Sequence, residues 1–200
     1  MSVSDGLEQL RETTLDSETV FRGSRISLRV DRIRMADGRE SSREIAEHPD
    51  AVVVLALRDD GAIPFVRQWR APAARPLLEL PAGRVDPGET PIDAARRELR
   101  EEVGLDPARL EPLHEFFVAP GWATEYLYGY LARDCASAPL PPDEDEELIV
   151  EWLTLGEAMA RIESGEITDA KSLILLQALA LEAVGPLARK IIHHYRGQEL

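Results

Sequence analysis

Residues Gly83 to Leu105 read GRVDPGETPIDAARRELREEVGL. A glycine turn leads to Glu89, and a helix then carries Arg97, Glu98, Glu101 and Glu102. Successive helical residues are rotated by about 100°. Glu98, Glu101 and Glu102, three and four positions apart, therefore share one face. Three carboxylates on one face repel one another unless a cation sits between them. Arg97, four residues before Glu101, offsets part of that repulsion. Clustered hard oxygen ligands are what Mg2+ or Mn2+ requires. Acidic runs of this kind are common on solvated helix faces, so the flanking residues have to decide.

They do decide. Gly83, Glu89, Arg97, Glu98, Leu99, Glu101, Glu102, Gly104 and Leu105 fall at the spacing G-x5-E-x7-R-E-U-x-E-E-x-G-U, where U is aliphatic. Nine specified positions over 23 residues fit without departure. The stretch resembles the Nudix box, the signature of hydrolases acting on nucleoside diphosphates linked to another group. The resemblance implies an α/β fold, the Nudix α/β/α sandwich with a mixed sheet. It also implies Mg2+ (or Mn2+), two or three per site, held by Glu98, Glu102 and Glu101 with the backbone carbonyl of Ala82. Arg97 is then expected to hold Glu98 or Glu89 in place rather than to touch substrate.

Composition agrees. Two hundred residues, 44% hydrophobic and 30% charged, describe an ordinary globular chain able to bury a core. A net charge of −14 argues against a general nucleic-acid binder, which needs a basic surface. A small anionic substrate is still admissible, because bound metals and local arginines reverse the sign of one cleft. The single cysteine, Cys135, cannot form an intrachain disulfide and reads as an inert thiol. The residues from Met1 to Leu15 lack the apolar core of an export signal. Leu173 to Val184 is too short to span a bilayer and reads as a buried or dimer-facing helix. The expectation is a cytoplasmic protein without membrane partners. His193 and His194 read as exposed helix residues.

Strands and helices alternate along the chain. Ile26 to Met35 alternates like a half-buried strand, Asp37-Gly38 is a hairpin turn, and Arg43 to Ala46 begins the return strand. Residues 1–47 thus form a small β unit ahead of a domain over 48–200. Ala51 to Leu57 is a continuous apolar run suited to a central strand. Further strands are expected at Ile63 to Trp69, Leu77 to Leu80, Leu113 to Val118, Glu125 to Leu131 and Leu148 to Leu153. Helices are expected at Gly156 to Ser164 and Lys171 to Val184.

Four further features resemble the ADP-ribose pyrophosphatase branch of the Nudix family. Pro120 lies sixteen residues after Gly104, where that branch has a proline within Ser-Pro-Gly; here Ala119 replaces the serine and Trp122 a common phenylalanine. Val66-Arg67-Gln68-Trp69-Arg70 is close to the branch's V-R-Q-Y-R strand, and Arg70 is the expected phosphate or ribose contact. Arg43-Glu44-Ile45, followed by Pro49-Asp50-Ala51-Val52, resembles R-E-V…H-P-G-A-V, with Asp50 where glycine is usual. In the family this N-terminal β unit is exchanged in a homodimer and its Arg-Glu pair reaches the partner's site, which makes Arg43 and Glu44 substrate-binding residues. Pro142 to Glu147 is an acidic loop of the kind that supplies the general base; by resemblance that base is Glu144, with Glu146 a possible metal ligand and Glu147 an alternative.

The implied reaction is hydrolysis of ADP-ribose to AMP and ribose 5-phosphate. Another nucleoside diphosphate sugar, such as GDP-mannose, would need the same metals and a different base pocket. Phe21 and Trp122 are the stacking candidates for that pocket. A non-catalytic nucleotide-binding module is the alternative of another class, which an eroded box would favour; this box is intact.

Overall fold

The computed structural model describes residues 3–141 and 147–196. Glu144 and Glu146 lie outside the described residues, as do the side chains of His193 and His194. The chain divides into two compact units, Met1–Asp50 with Phe117–Tyr126, and Ala51–Phe116 with Leu127–Leu200.

In the first unit a short helix, α1 (Val3–Glu8), precedes strands β1 (Glu12–Arg22), β2 (Ser27–Met35) and β3 (Glu40–Glu47). They form an antiparallel sheet in the order β1-β2-β3. The expected turn at Asp37-Gly38 is present. The Met35 amide donates to the Arg39 carbonyl at 2.8 Å, and Gly38 takes φ 88°, the left-handed conformation that a three-residue hairpin loop requires. β1 has no counterpart in the sequence reading. All its residues except Leu15 are exposed, so it carries no burial pattern and exists through its pairing with β2. The Phe117–Tyr126 segment joins this unit through a parallel bridge between Ala46 and Ala123. Its Ala119-Pro120-Gly121-Trp122 turn is closed by the Trp122 amide donating to the Ala119 carbonyl at 3.1 Å.

The second unit runs β4 (Ala51–Ala56), β5 (Ala62–Arg70), a 3-10 turn (Ala71–Ala73), β6 (Arg75–Glu79), β7 (Ala82–Arg84) and α2 (Pro91–Val103). It continues with β8 (Leu105–Phe117), β9 (Tyr126–Ser137), β10 (Leu148–Thr154), α3 (Leu155–Glu163) and α4 (Ala170–Arg196). One sheet has the order β7-β4-β9-β8, in which β4 is antiparallel to β7 and parallel to β9. A second, antiparallel sheet has the order β10-β5-β6.

β4 explains the layering. All six of its residues are buried, as a strand covered on both faces must be. Alternate side chains point to opposite faces. Val52, Val54 and Ala56 pack with Ala94, Ala95 and Leu99 of α2. Val53 and Leu55 pack with Phe65, Leu78 and the α4 residues Leu175, Leu176 and Leu179. A helix therefore covers each face of the mixed sheet, the α/β/α arrangement expected. Truncating Leu55 to alanine would cost about 2–5 kcal/mol by the usual cavity penalty.

Candidate active site

The site is built where β7 meets α2. After Glu79 the chain passes through Leu80 and Pro81, and β7 pairs with β4 as Val53↔Ala82 and Val52↔Gly83. The helix is fixed at both ends. The Thr90 side chain accepts from the Asp93 amide at 3.3 Å, Pro91 opens the first turn, and Gly104 closes the last one at φ 71°. The buried stripe of α2 is Ala94, Ala95, Glu98, Leu99 and Glu102. The face that packs on the sheet thus carries two of the three expected ligands against β7. Glu98 and Glu102 are only 9% and 8% exposed. Glu102 Oε2 accepts from the Ala82 amide at 3.0 Å. The Glu98 carboxylate fills the place where a side chain on Gly83 would begin.

Carboxylates so enclosed need cationic partners, and Arg97 supplies one. Its Nη1 donates to Glu98 Oε1 at 2.7 Å and to Glu101 Oε2 at 2.9 Å. Nε and Nη2 each donate to Glu89 at 3.0 Å, and Nη2 also donates to the Arg84 carbonyl at 2.9 Å. Five bonds from a group with five donors tie the turn, the strand and the helix together. The Arg97 hydrogen bonds hold the Glu89 carboxyl below its usual range, and in return Glu89 raises Arg97 further above the normal guanidinium value. The role expected for Arg97, holding Glu98 or Glu89, corresponds to these contacts.

A second charged group flanks the first. Arg70, at the end of β5, forks onto Glu79, with Nε and Nη2 each 2.8 Å from a carboxylate oxygen. Lys171 Nζ also bonds Glu79, and donates to Asp169 at 2.7 Å. Glu79 is 2% exposed. Burial alone would raise its pKa, but the Arg70 and Lys171 contacts outweigh that and bring it down to about 2.

The remaining expected site residues belong to the other unit. Arg43 pairs with Glu12, its Nε 3.1 Å from Glu12 Oε2. Glu44 is exposed on β3, and Pro120 lies in the Ala119–Trp122 turn. Phe21 and Trp122 are exposed there too. Cys135 is half-buried and burial raises its thiol pKa, which suits an inert thiol.

The donor chemistry of the box fits a hard divalent cation. Glu98, Glu101 and Glu102 offer only oxygen, on one stretch of α2 beside the β7 backbone. Among the described residues no three Asp, Glu, His or Cys side chains converge on a common point. Glu98 and Glu101 are instead drawn onto Arg97.

The architecture and this cluster define the class: the chain belongs to the NUDIX domain family, matched over residues 47–176, and is a Nudix hydrolase. Residues 12–46 match the nucleoside diphosphate sugar hydrolase N-terminal domain. Members of the NUDIX family generally use divalent metal ions. An ADP-ribose pyrophosphatase from Bacillus subtilis (strain 168) is 38% identical over 178 residues, 88% of this chain and 96% of the relative. One from Mycobacterium tuberculosis is 40% identical over 174 residues, 86% of this chain and 83% of the relative. A methanol dehydrogenase activator from Bacillus methanolicus is 37% identical over 173 residues, 86% of this chain and 94% of the relative. The crystal structure of an ADP compounds hydrolase superposes with a TM-score of 0.79 at 26% identity, covering 90% of this chain and 98% of that one. No helix among the described residues is long and apolar enough to cross a membrane.

The sequence reading missed Glu79, Asp169 and Lys171. A signal was present: Glu79 interrupts the apolar run Leu77-Leu78-Glu79-Leu80, and a charge inside such a run implies a buried partner.

Proposed function

We propose that this Nudix hydrolase cleaves the pyrophosphate bond of ADP-ribose with water, giving AMP and ribose 5-phosphate. The reading is carried by the complete box geometry, in which Arg97 ties Glu89, Glu98 and Glu101 beside Gly83. Likeness to two ADP-ribose pyrophosphatases over most of their lengths supports the choice of substrate.

Glu98, Glu101, Glu102 and the Ala82 carbonyl would hold two or three Mg2+ (or Mn2+) ions per site, which supply charge neutralisation of the pyrophosphate and a more acidic attacking water. Glu98 and Glu102 are pre-positioned by the α2–β7 packing, and Arg97 restrains Glu98 and Glu101. Arg70 offers paired N–H donors to phosphate oxygens. Glu144 takes the water proton as the new P–O bond forms and the bond to the bridging oxygen breaks. Glu146 is a further ligand from the same loop. Residues 1–47 act as a unit for dimerisation and substrate contact, and 48–200 as the hydrolase domain. In a cytoplasmic homodimer, Arg43 and Glu44 serve the partner's site and Pro120 contacts substrate.

The test is product analysis. ADP-ribose incubated with the protein and Mg2+ should give AMP and ribose 5-phosphate on chromatography, and Glu144→Gln should lower kcat far more than it weakens substrate binding. Binding without AMP release would support the nucleotide-binding module instead. Loss of kcat on Glu147→Gln rather than Glu144→Gln would move the base within the loop.

A further inference from the structure

Glu79 is a carboxylate at a position where an apolar residue, its partners replaced too, would pack as well. Its neighbours Leu78 and Leu80 are fully buried, and Glu79 itself is 2% exposed. An apolar pair in place of a buried ion pair is commonly as stable or more so, so packing does not account for the charge. What the charge does is visible in the contacts. It takes Arg70 Nε and Nη2 in a two-point fork, both at 2.8 Å, which fixes the plane of the guanidinium as well as its position. That fork uses two of five N–H donors. The edge formed by Nη1 and the second Nη2 hydrogen is left facing away from Glu79, with the Arg70 side chain 37% exposed. Two parallel donors on one edge match a pair of phosphate oxygens.

The carboxylate is itself clamped. Lys171, in the first turn of α4, bonds Glu79 and Asp169. Asp169 also accepts from the Ser172 amide at 3.1 Å, and the Ser172 hydroxyl accepts from the Leu80 amide at 2.8 Å. The start of α4 thus holds both the Glu79 carboxylate and the adjoining Leu80 backbone. The Arg70 guanidinium feels the Glu102 charge, so the group lies within electrostatic reach of the box helix.

We propose that Glu79 is a positioning residue that aims Arg70 at the substrate's pyrophosphate, with Lys171 and Asp169 locking it in place. The inference rests on the reading of Arg70 as an anion contact in the proposed reaction. It assigns Glu79 no contact with substrate.

The experiment is a double-mutant cycle with ADP-ribose and Mg2+, reading kcat, KM and melting temperature. Arg70→Ala and Glu79→Gln should each raise KM by about tenfold with a smaller change in kcat, as loss of binding in both ground and transition states requires. The double variant should be no worse than Arg70→Ala alone, because Glu79 acts only through Arg70. A Glu79→Gln that melts earlier but keeps its KM would overturn the inference, as would penalties that multiply in the double variant. If Glu79→Gln does not fold, Lys171→Met replaces it in the cycle, with a smaller rise in KM that must also vanish in the Arg70→Ala background. An Arg70→Ala with unchanged kinetics would remove the Arg70 reading and this inference together. Impairment by Arg70→Ala without any effect of Glu79→Gln would remove this inference alone. A wild type that does not cleave ADP-ribose would remove the proposed reaction and, with it, the inference.

Discussion

Gly83 and Glu98 share one volume: a methyl group on Gly83 would fall within the Glu98 carboxylate. The obstacle is the far end of a flexible side chain, so the helix need not move to relieve it. Gly83→Ala should therefore keep its fold, with a melting temperature within a few degrees of wild type, roughly 1 kcal/mol. It should lose on the order of a hundredfold in kcat because Glu98 is displaced. Melting and kinetics on the same preparation check this. A variant that unfolds, or one that keeps its rate, would refute the arrangement.

Arg97 is the one cation bonding Glu89, Glu98 and Glu101 together among the described residues. Lysine keeps the charge but has three donors from one point and cannot span strand, turn and helix. Arg97→Lys should cost roughly 1–3 kcal/mol in urea unfolding. Its kcat should also fall by about ten- to a hundredfold, as when groups that orient metal ligands are lost. Near-normal kcat would show that the carboxylates hold their places without it.

Glu98→Gln and Glu102→Gln remove charge while nearly keeping shape. Each should lower turnover by several orders of magnitude, roughly 10^3-fold or more, at saturating Mg2+, with the circular dichroism spectrum unchanged. A near-normal rate in either variant would sink the assignment of these two residues as metal ligands.

Glu79 gives a pH signature. Its carboxyl is brought from an ordinary 4.5 to about 2 in the folded protein. A group depressed in this way contributes stability that is complete above the unfolded value and is lost as pH falls through the folded one. Wild type should therefore exceed Glu79→Gln in stability by a constant margin above pH 4.5, and the margin should close as pH falls toward 2. Urea unfolding of both proteins across that range measures it. A margin independent of pH would mean that the carboxylate's charge is not what stabilises the fold.

The sequence discloses the parts of this molecule whose burial or spacing is regular. β4 is legible because a short, valine-rich apolar run suits a strand covered on both faces. α2 and its three glutamates are legible because the helical period places them. β1 is not legible, since an exposed polar strand has no pattern of its own. β8 runs from Leu105 to Phe117, beginning well before the strand read from Leu113, because its alternation is weak. The first compact unit also takes in Phe117–Tyr126, a grouping made by the Ala46–Ala123 bridge across 77 positions of sequence. At the site, the spacing gives the three glutamates but not their company. The Arg84 carbonyl, and the link from Glu79 to Lys171 92 residues away, depend on contacts that no local pattern encodes.

The most direct measurement is a comparison of kcat/KM, with Mg2+ and with Mn2+, for ADP-ribose, GDP-mannose, UDP-glucose, diadenosine polyphosphate, NADH and a nucleoside triphosphate. Metal-dependent turnover is expected, with AMP as the product from ADP-ribose and a kcat/KM for it at least about tenfold above the others, a difference of about 1.4 kcal/mol in transition-state binding. Preference for another sugar nucleotide would leave the metal site standing and overturn the substrate. Absence of metal-dependent turnover on every compound would mean that the box glutamates do not support hydrolysis of any of these pyrophosphates.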